Sequence, residues 1–265
     1  LQEAIRHSLL TEDHVTAMLA VAHLAMNALQ TGRLHFLAEI AEQAIQRAEA
    51  AHTAPAMIGA VHIVLGTVYY EWDQVERARG LLLRGIHLAT MSGHTASLAY
   101  GKLMLARLQQ GSGELAEAAQ NLAEVRELLT QGAPGWVRAE WAVRQAGWLT
   151  AQGRLAEAET VLRQTGVGPE APVSQQTVII LLAWLRWMIA GRRPEALALA
   201  ERLVSAAEAG GQNGTLLQAL VLGSKAGGGE AWLQRARQLA AIEGYQRIFL
   251  DEGLAPQAGR ASKKI

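Results

Sequence analysis

The sequence predicts an all-α fold: a right-handed superhelical solenoid of about six helical hairpins with a repeat of roughly forty residues. Three observations lead to this prediction. A short turn signature recurs at even intervals, half of the residues are hydrophobic while 5% are aromatic, and 265 residues contain six prolines. Alanine and leucine dominate the apolar fraction, and both enter helices with little loss of side-chain entropy.

The repeat is defined by its turns. Each turn carries Gly or Asp and precedes an amphipathic helix, usually with Ala five residues after the turn. The turns lie at Gly32, Asp73, Gly113, Gly153 and Gly191, with a weaker copy at Gly229, so successive turns are 41, 40, 40, 38 and 38 residues apart. Such even spacing indicates a tandem array whose unit is a helix, a tight turn and a second helix.

Small side chains indicate how the two helices of a unit pack. Ala or Gly stands seven residues before four of the turns, and Ala stands five residues after four of them. The helices of a hairpin are therefore expected to approach closely. The exceptions, Leu37 in the first unit and Trp184 in the fifth, are expected to pack differently. The six predicted pairs cover residues 14–50, 55–92, 94–131, 136–166, 170–210 and 212–243.

Composition excludes several classes of function. The formal net charge is zero, which gives no electrostatic footprint for nucleic acid or for an anionic membrane. Cysteine is absent, so no disulfide framework or thiolate metal site is expected. Because no signal peptide opens the chain, a cytoplasmic location is expected. The most apolar run, residues 178–189, is too short for a bilayer and contains Arg186, which predicts a buried helix.

The last unit ends in a distinctive motif. Residues 244–253 contain Gly244, Tyr245, Arg247, Phe249, Asp251, Glu252 and Gly253 in that order. This motif resembles the end of the sensor domain in MalT-like regulators, a group of LuxR-type, ATP-dependent transcriptional activators. The repeat itself resembles the tetratricopeptide repeat (TPR) in a longer form than the usual 34 residues. The expected division is 1–13 as the end of a preceding helix, 14–253 as the repeat domain and 254–265 as a linker.

The resemblance implies a non-catalytic sensor without a cofactor. Its partner would be a small-molecule inducer, an oligosaccharide among the candidates, or a regulatory protein. The phosphate loop of the family's signalling ATPase (STAND) is absent, since Gly223-Ser224-Lys225 lacks the upstream glycine. No DNA-binding domain follows either, so a fragment of a longer regulator is expected. The alternative is a TPR adaptor that binds a protein or peptide on its concave face.

The concave face is expected along the first helix of each pair. Counting back from each turn by the usual TPR spacing identifies six candidate contacts: Tyr70, Tyr100, Arg107, Gln110, Glu140 and Thr150. A competing stripe through Lys102, Gln109 and Gln145 differs by a fraction of a turn, and the sequence alone leaves both registers open.

Other residue patterns favour structural roles. Trp136, Trp141, Trp148, Trp184 and Trp187 fall in the fourth and fifth units and suit either sugar stacking or the filling of gaps between helices. No histidine pair has the four-residue spacing of a metal site, so no metal is expected. An α-helical barrel enzyme would need a closed ring and a facing acid pair, whereas an open array is expected. In the closing motif, Tyr245 and Phe249 are expected to cap the last apolar layer, with Arg247, Asp251 and Glu252 solvated.

Overall fold

The computed structural model describes residues 25, 27–50 and 58–255, and every regular element within them is helical. The predicted all-α class is confirmed. Helical residues 27–31 precede twelve α-helices: α1 Leu34–Ala50, α2 Ile58–Glu71, α3 Val75–Met91, α4 Thr95–Gly111, α5 Leu115–Thr130, α6 Gly135–Ala151, α7 Leu155–Arg163, α8 Val178–Ala190, α9 Ala196–Ala209, α10 Asn213–Gly223, α11 Gly229–Glu243 and α12 Arg247–Asp251. A π-helical segment, Ser224–Gly228, joins α10 to α11.

The helices form six consecutive pairs, as predicted. Residues 27–31 lead through the turn at Gly32 into α1, and the later pairs are α2/α3, α4/α5, α6/α7, α8/α9 and α10/α11. In the fifth unit, residues 170–177 precede α8 as turns and loop instead of continuing the predicted helix. The predicted preceding helix at 1–13 and most of the predicted linker lie outside the described residues.

The predicted turns use left-handed backbone. Gly32, Gly113 and Gly153 have φ of 72°, 83° and 73°, and Asp73 adopts 59°. The predicted fifth turn is present at residues 191–192, but its left-handed residue is Arg192, with φ of 52°, while Gly191 has φ of −81°. Glycine adopts such angles without the steric cost that a Cβ brings.

The small residues flanking the turns lie where helices meet. All of the predicted alanines are buried: Ala25, Ala106 and Ala146 before the turns, and Ala78, Ala118, Ala158 and Ala196 after them. A Cβ on Gly66 would come within 2.9 Å of Leu82, and one on Gly85 would come within 2.7 Å of the Gly59 carbonyl oxygen. The α2/α3 hairpin therefore depends on glycine for its close approach. Trp184, the exception in the fifth unit, is fully buried and donates its indole N–H to the Val167 carbonyl at 2.8 Å.

The two ends of the described array are in contact, so the expectation of an open array is wrong. A Cβ on Gly32, in the first turn, would come within 2.8 Å of the Gly214 amide nitrogen at the start of α10. Gln30 donates to the Gln175 carbonyl at 3.2 Å, and the His35 amide donates to the Glu243 carboxylate at 2.9 Å. The stacked pairs therefore return to their starting point and enclose an interior.

The segment after α11 turns into this interior. We call residues 244–254 the closing segment; it contains α12. Gly244, with φ of 76°, ends α11, and the amide of Gln246, two residues later, donates to the Glu71 carbonyl at 2.8 Å. Trp72 fixes the same junction through a 2.7 Å bond from its indole N–H to the Glu243 carbonyl. Ile248 and Phe249 are buried in the core of the later repeats, so the closing segment joins the two halves of the array.

Candidate functional site

The enclosed interior contains a cavity of about 710 Å³. The first helices of the pairs, α2, α4, α6, α8 and α10, supply most of its wall, and the closing segment supplies much of the rest. Of the six predicted contacts, Tyr100, Arg107, Gln110, Glu140 and Thr150 line the cavity. The sixth, Tyr70, is buried and reaches the closing segment. Their role in ligand binding stays a prediction.

The competing stripe does not face this cavity. Lys102 forms an ion pair with Glu124 on α5, and Gln109 is buried with its side-chain carbonyl accepting from Asn121 at 2.9 Å. Gln145 lines a separate groove between α5, α6 and α7. In α4 and α6 the inner face therefore follows the register counted back from the turns.

Tyr70 lies at the centre of an ionic network between α2, α4 and the closing segment. Its hydroxyl donates to the Asp251 carboxylate at 2.8 Å, and the guanidinium groups of Arg107 and Arg247 each lie 4.8 Å from its ring centroid. Arg107 pairs with Glu71 at 2.5 Å and with Asp251 at 3.1 Å. Burial raises the pKa of the Tyr70 phenol above its usual value, so the hydroxyl stays a donor.

Arg247 fixes the closing segment against the turn regions of the second and third pairs. It bonds Asp251 at 2.8 Å, Asp73 at 3.2 Å and the Gly111 carbonyl at 3.2 Å. A methyl group at Gly111 would overlap both the Arg247 guanidinium and the Tyr70 hydroxyl. The absence of a side chain at Gly111 therefore allows this contact.

Glu252 makes a second set of ion pairs deeper in the wall. Its carboxylate accepts from Arg186 on α8 at 2.7 Å and from Lys225 in the π-helical segment at 3.0 Å. Burial opposes ionisation of this carboxyl, but the two cations outweigh it and hold the pKa of Glu252 below its ordinary value.

The expectation that the charged residues of the closing motif are solvated is wrong. Arg247 is 8% exposed, and the side chains of Asp251 and Glu252 are 20% and 10% exposed. The motif turns inward because the cationic residues of the inner helices neutralise its carboxylates. The two aromatic residues were expected to cap the last apolar layer. In the structure Phe249 is fully buried in the core, and Tyr245 packs on both halves of it.

Two charged groups of the wall remain weakly paired. Arg144 and Glu140, one turn apart on α6, approach to 3.6 Å, which exceeds hydrogen-bond distance. The Glu140 carboxylate is buried beside Tyr100, and burial followed by the Glu140 charge raises the pKa of that tyrosine. The cavity thus presents both a cation and an anion to a bound molecule.

Comparison with known proteins identifies the family. The profile of the MalT-like TPR region matches residues 1–256. The chain belongs to this family. The resemblance carried by the closing motif and the forty-residue repeat is thereby confirmed. A search of curated proteins finds no match to this MalT-like TPR region.

Several residues of the site were not predicted from the sequence. Arg144 follows Glu140 by four positions and could have been found from that shared helix face. Arg186, a charge within an apolar helix, signals a buried partner without identifying it. Lys225 and the inward-facing carboxylates of this MalT-like region carry no local signal, because their partners lie in other repeats.

The remaining expectations concern metals, membranes and tryptophans. The described part of this MalT-like region contains no cluster of ligands that could hold a metal ion, and no described helix has the length and apolarity of a membrane span.

Two of the tryptophans form hydrogen bonds between helices. The indole N–H of Trp141 donates to the Leu122 carbonyl at 2.9 Å, and that of Trp187 donates to the Leu155 carbonyl at 2.8 Å. Because these bonds join neighbouring helices, they favour the filling of gaps between helices over sugar stacking for these two residues.

Proposed function

We propose that this chain is the ligand-sensing domain of a signal-responsive transcriptional activator, that it acts in the cytoplasm and that it is not catalytic by itself. The observation that carries the proposal is the shared wall of the cavity. Inner helices and closing segment line the same space, and Arg107 on α4 pairs with Asp251 in the closing segment at 3.1 Å. A molecule bound there therefore contacts the segment on which the output would depend.

The coupling follows from differential affinity. A ligand shifts an equilibrium between two arrangements by the difference in its affinity for them. If the ligand competes with Asp251 for Arg107, or with Glu252 for Arg186, occupancy changes how tightly the closing segment is held. Coupling free energies of about 1–3 kcal/mol are typical of such linked sites. In the family, this change would reach a signalling ATPase of the LuxR-type, STAND regulators.

The cavity suits a small molecule better than a folded partner. Its volume of about 710 Å³ falls within the range of small-molecule sites. We propose Tyr100, Arg107, Gln110, Glu140 and Thr150 as contacts, with Tyr70 supporting Arg107. The family resemblance adds an oligosaccharide to the candidate inducers, and a regulatory protein remains the alternative partner.

Thermal unfolding with a ligand panel tests the proposal. The full chain would be melted with oligosaccharides, nucleotides and amino acids, each in excess. A ligand at one hundred times its dissociation constant stabilises the folded state by about 2.7 kcal/mol. Hydrogen exchange on the stabilised complex should show altered protection at residues 244–254, because these residues share the wall with the ligand.

Two glutamines give matched variants. Gln110→Ala removes a cavity side chain and should reduce the ligand-induced shift, while Gln120→Ala, on the outer helix α5, should leave it unchanged. Absence of a shift across the whole panel would contradict small-molecule sensing and favour the adaptor alternative, to be tested by protein capture. A shift without any change at the closing segment would contradict the coupling.

A further inference from the structure

Arg144 is the cation of the cavity wall whose side chain makes no hydrogen bond with the described residues. Arg107, Arg186, Arg247 and Lys225 each donate hydrogen bonds to carboxylates. Among the described residues, the Arg144 side chain donates none, and its nearest acid is Glu140 at 3.6 Å. The side chain is 27% exposed and lines the cavity, so its terminal nitrogens are available to a bound molecule.

Glu140 is the corresponding anion. Its side chain is 6% exposed, lines the same cavity and makes no hydrogen bond with any described residue. Buried charged groups without hydrogen bonds are costly, and charged donors or acceptors satisfy them best. One helical turn of α6 therefore presents an unmet donor and an unmet acceptor side by side.

The charges around this pair are balanced. Arg107, Arg186, Arg247 and Lys225 are compensated by Glu71, Asp73, Asp251 and Glu252 through direct ion pairs. Arg144 and Glu140 compensate each other in net charge. A ligand of zero net charge leaves this balance undisturbed, whereas a net ion would add an uncompensated charge in a partly desolvated site.

We propose that the ligand sensed in this cavity is a free α-amino acid in its zwitterionic form. Its carboxylate accepts hydrogen bonds from Arg144, and its ammonium donates to Glu140. An α-amino acid carries both groups on one carbon, which suits two protein groups 3.6 Å apart. Met104, Val143 and Leu182 line the same cavity and offer an apolar surface to the ligand side chain. The inference rests on the proposed sensing function and names its ligand class.

Charge decides between an amino acid and a neutral polyol. A polyol hydroxyl also makes a charge-assisted hydrogen bond with Arg144 or Glu140, but it brings no opposite charge. The carboxylate and ammonium of a zwitterion add a Coulombic attraction to these groups, which is stronger in a partly desolvated site than in water. The Arg144–Glu140 pair is the part of the wall where this difference matters, since the other ions already have charged partners. A zwitterion therefore gains more from this site than a hydroxylated ligand of the same size.

The first test compares three forms of one molecule. Calorimetric titration of the full chain with apolar α-amino acids identifies the tightest binder. Its N-acetyl derivative, which lacks the ammonium, and its carboxamide, which lacks the carboxylate, are then titrated under the same conditions. Each derivative should bind at least about tenfold more weakly, because each loses a hydrogen bond between charged groups.

The second test uses variants of the two ionic residues. Arg144→Gln should weaken the amino acid at least about tenfold and barely change the affinity of the carboxamide, which has already lost the group that Arg144 recognises. Glu140→Gln should show the converse pattern with the N-acetyl derivative. The control is Arg163→Gln on α7, whose side chain is 68% exposed and outside the cavity wall. Circular dichroism checks that each variant folds, and the derivative series on the unmodified chain stands without them.

The outcomes separate this inference from the proposed function. Amino acids that bind as well when blocked, or equally well to Arg144→Gln, overturn the zwitterion inference while sensing survives. Binding by a polyol or nucleotide, with none by amino acids, has the same consequence. Failure of every small molecule to bind overturns both proposals.

Discussion

At the residue scale, the closing segment is held by charged side chains that bridge distant parts of the chain. Arg247 bonds Asp73, 174 positions away, and the Gly111 carbonyl, 136 positions away. Removing one partner of such a buried ion pair lowers the stability of the fold, because the other partner is then left charged and without water. Substituting any one of these charged residues should therefore weaken the contact between the closing segment and the inner helices.

Glu252 gives the segment a dependence on acidity. Its folded-state pKa lies below the ordinary value of 4.5, so its contribution to stability is fully present above that value. The contribution is lost as the pH falls through the lower folded pKa. We expect Glu252→Gln to lower the free energy of unfolding by about 1–3 kcal/mol at neutral pH and to have a smaller effect near pH 3, which lies below the ordinary pKa.

Urea denaturation of the parent chain and the variant at both pH values measures this difference. Glu201→Gln, an exposed position on α9, is the control and should leave the difference between the two pH values unchanged. An equal loss of stability at both pH values would show that the Glu252 carboxylate has no depressed pKa.

At the element scale, the turns inside the hairpins set the angle between paired helices. The sequence predicted them well because the requirement is local: a left-handed residue ends one helix and allows the next to reverse. The fifth turn departs by one position, with Arg192 at φ 52°. A glycine stands beside it at Gly191, and the choice between the two depends on how α8 and α9 pack, which no local pattern encodes.

The same substitution should therefore have opposite effects at two glycines. Gly153 has φ of 73° with open space around it, so Gly153→Ala should cost roughly 1–2 kcal/mol from backbone strain alone. Gly80 lies inside α3, also in open space but with helical φ. Gly80→Ala should therefore raise the free energy of unfolding by about 0.5–1 kcal/mol.

The left-handed backbone at Arg192 gives a third test. Arg192→Gly should relieve its backbone strain and raise the free energy of unfolding by up to about 1 kcal/mol. Chemical denaturation measures the stability of all three variants. Lower stability of Gly80→Ala, or higher stability of Gly153→Ala, would contradict the backbone conformations assigned to these two residues.

At the scale of the whole molecule, the meeting of the two ends is what creates a cavity in place of an open groove. The register of the inner face was predictable for α4 and α6, since Tyr100, Arg107 and Glu140 follow from counting back from the turns. The closure was not predictable, because the rotation between successive pairs is small and accumulates over six pairs. The inward turn of the closing segment also depends on partners such as Arg186 on α8, contributed by other repeats.

Gly214 offers a test of closure with little change elsewhere. It lies in the first turn of α10, where a Cβ would overlap the Leu29 carbonyl oxygen of the first pair. Because alanine favours a helix more than glycine does, Gly214→Ala should preserve α10 while forcing the ends apart. Small-angle X-ray scattering should then report a larger radius of gyration, and ligands of the cavity should bind more weakly. Gly135→Ala, at the start of α6 and in open space, is the matched control. Superimposable scattering from Gly214→Ala and the parent chain would mean that the array is not closed in solution, and the cavity would then be an open groove.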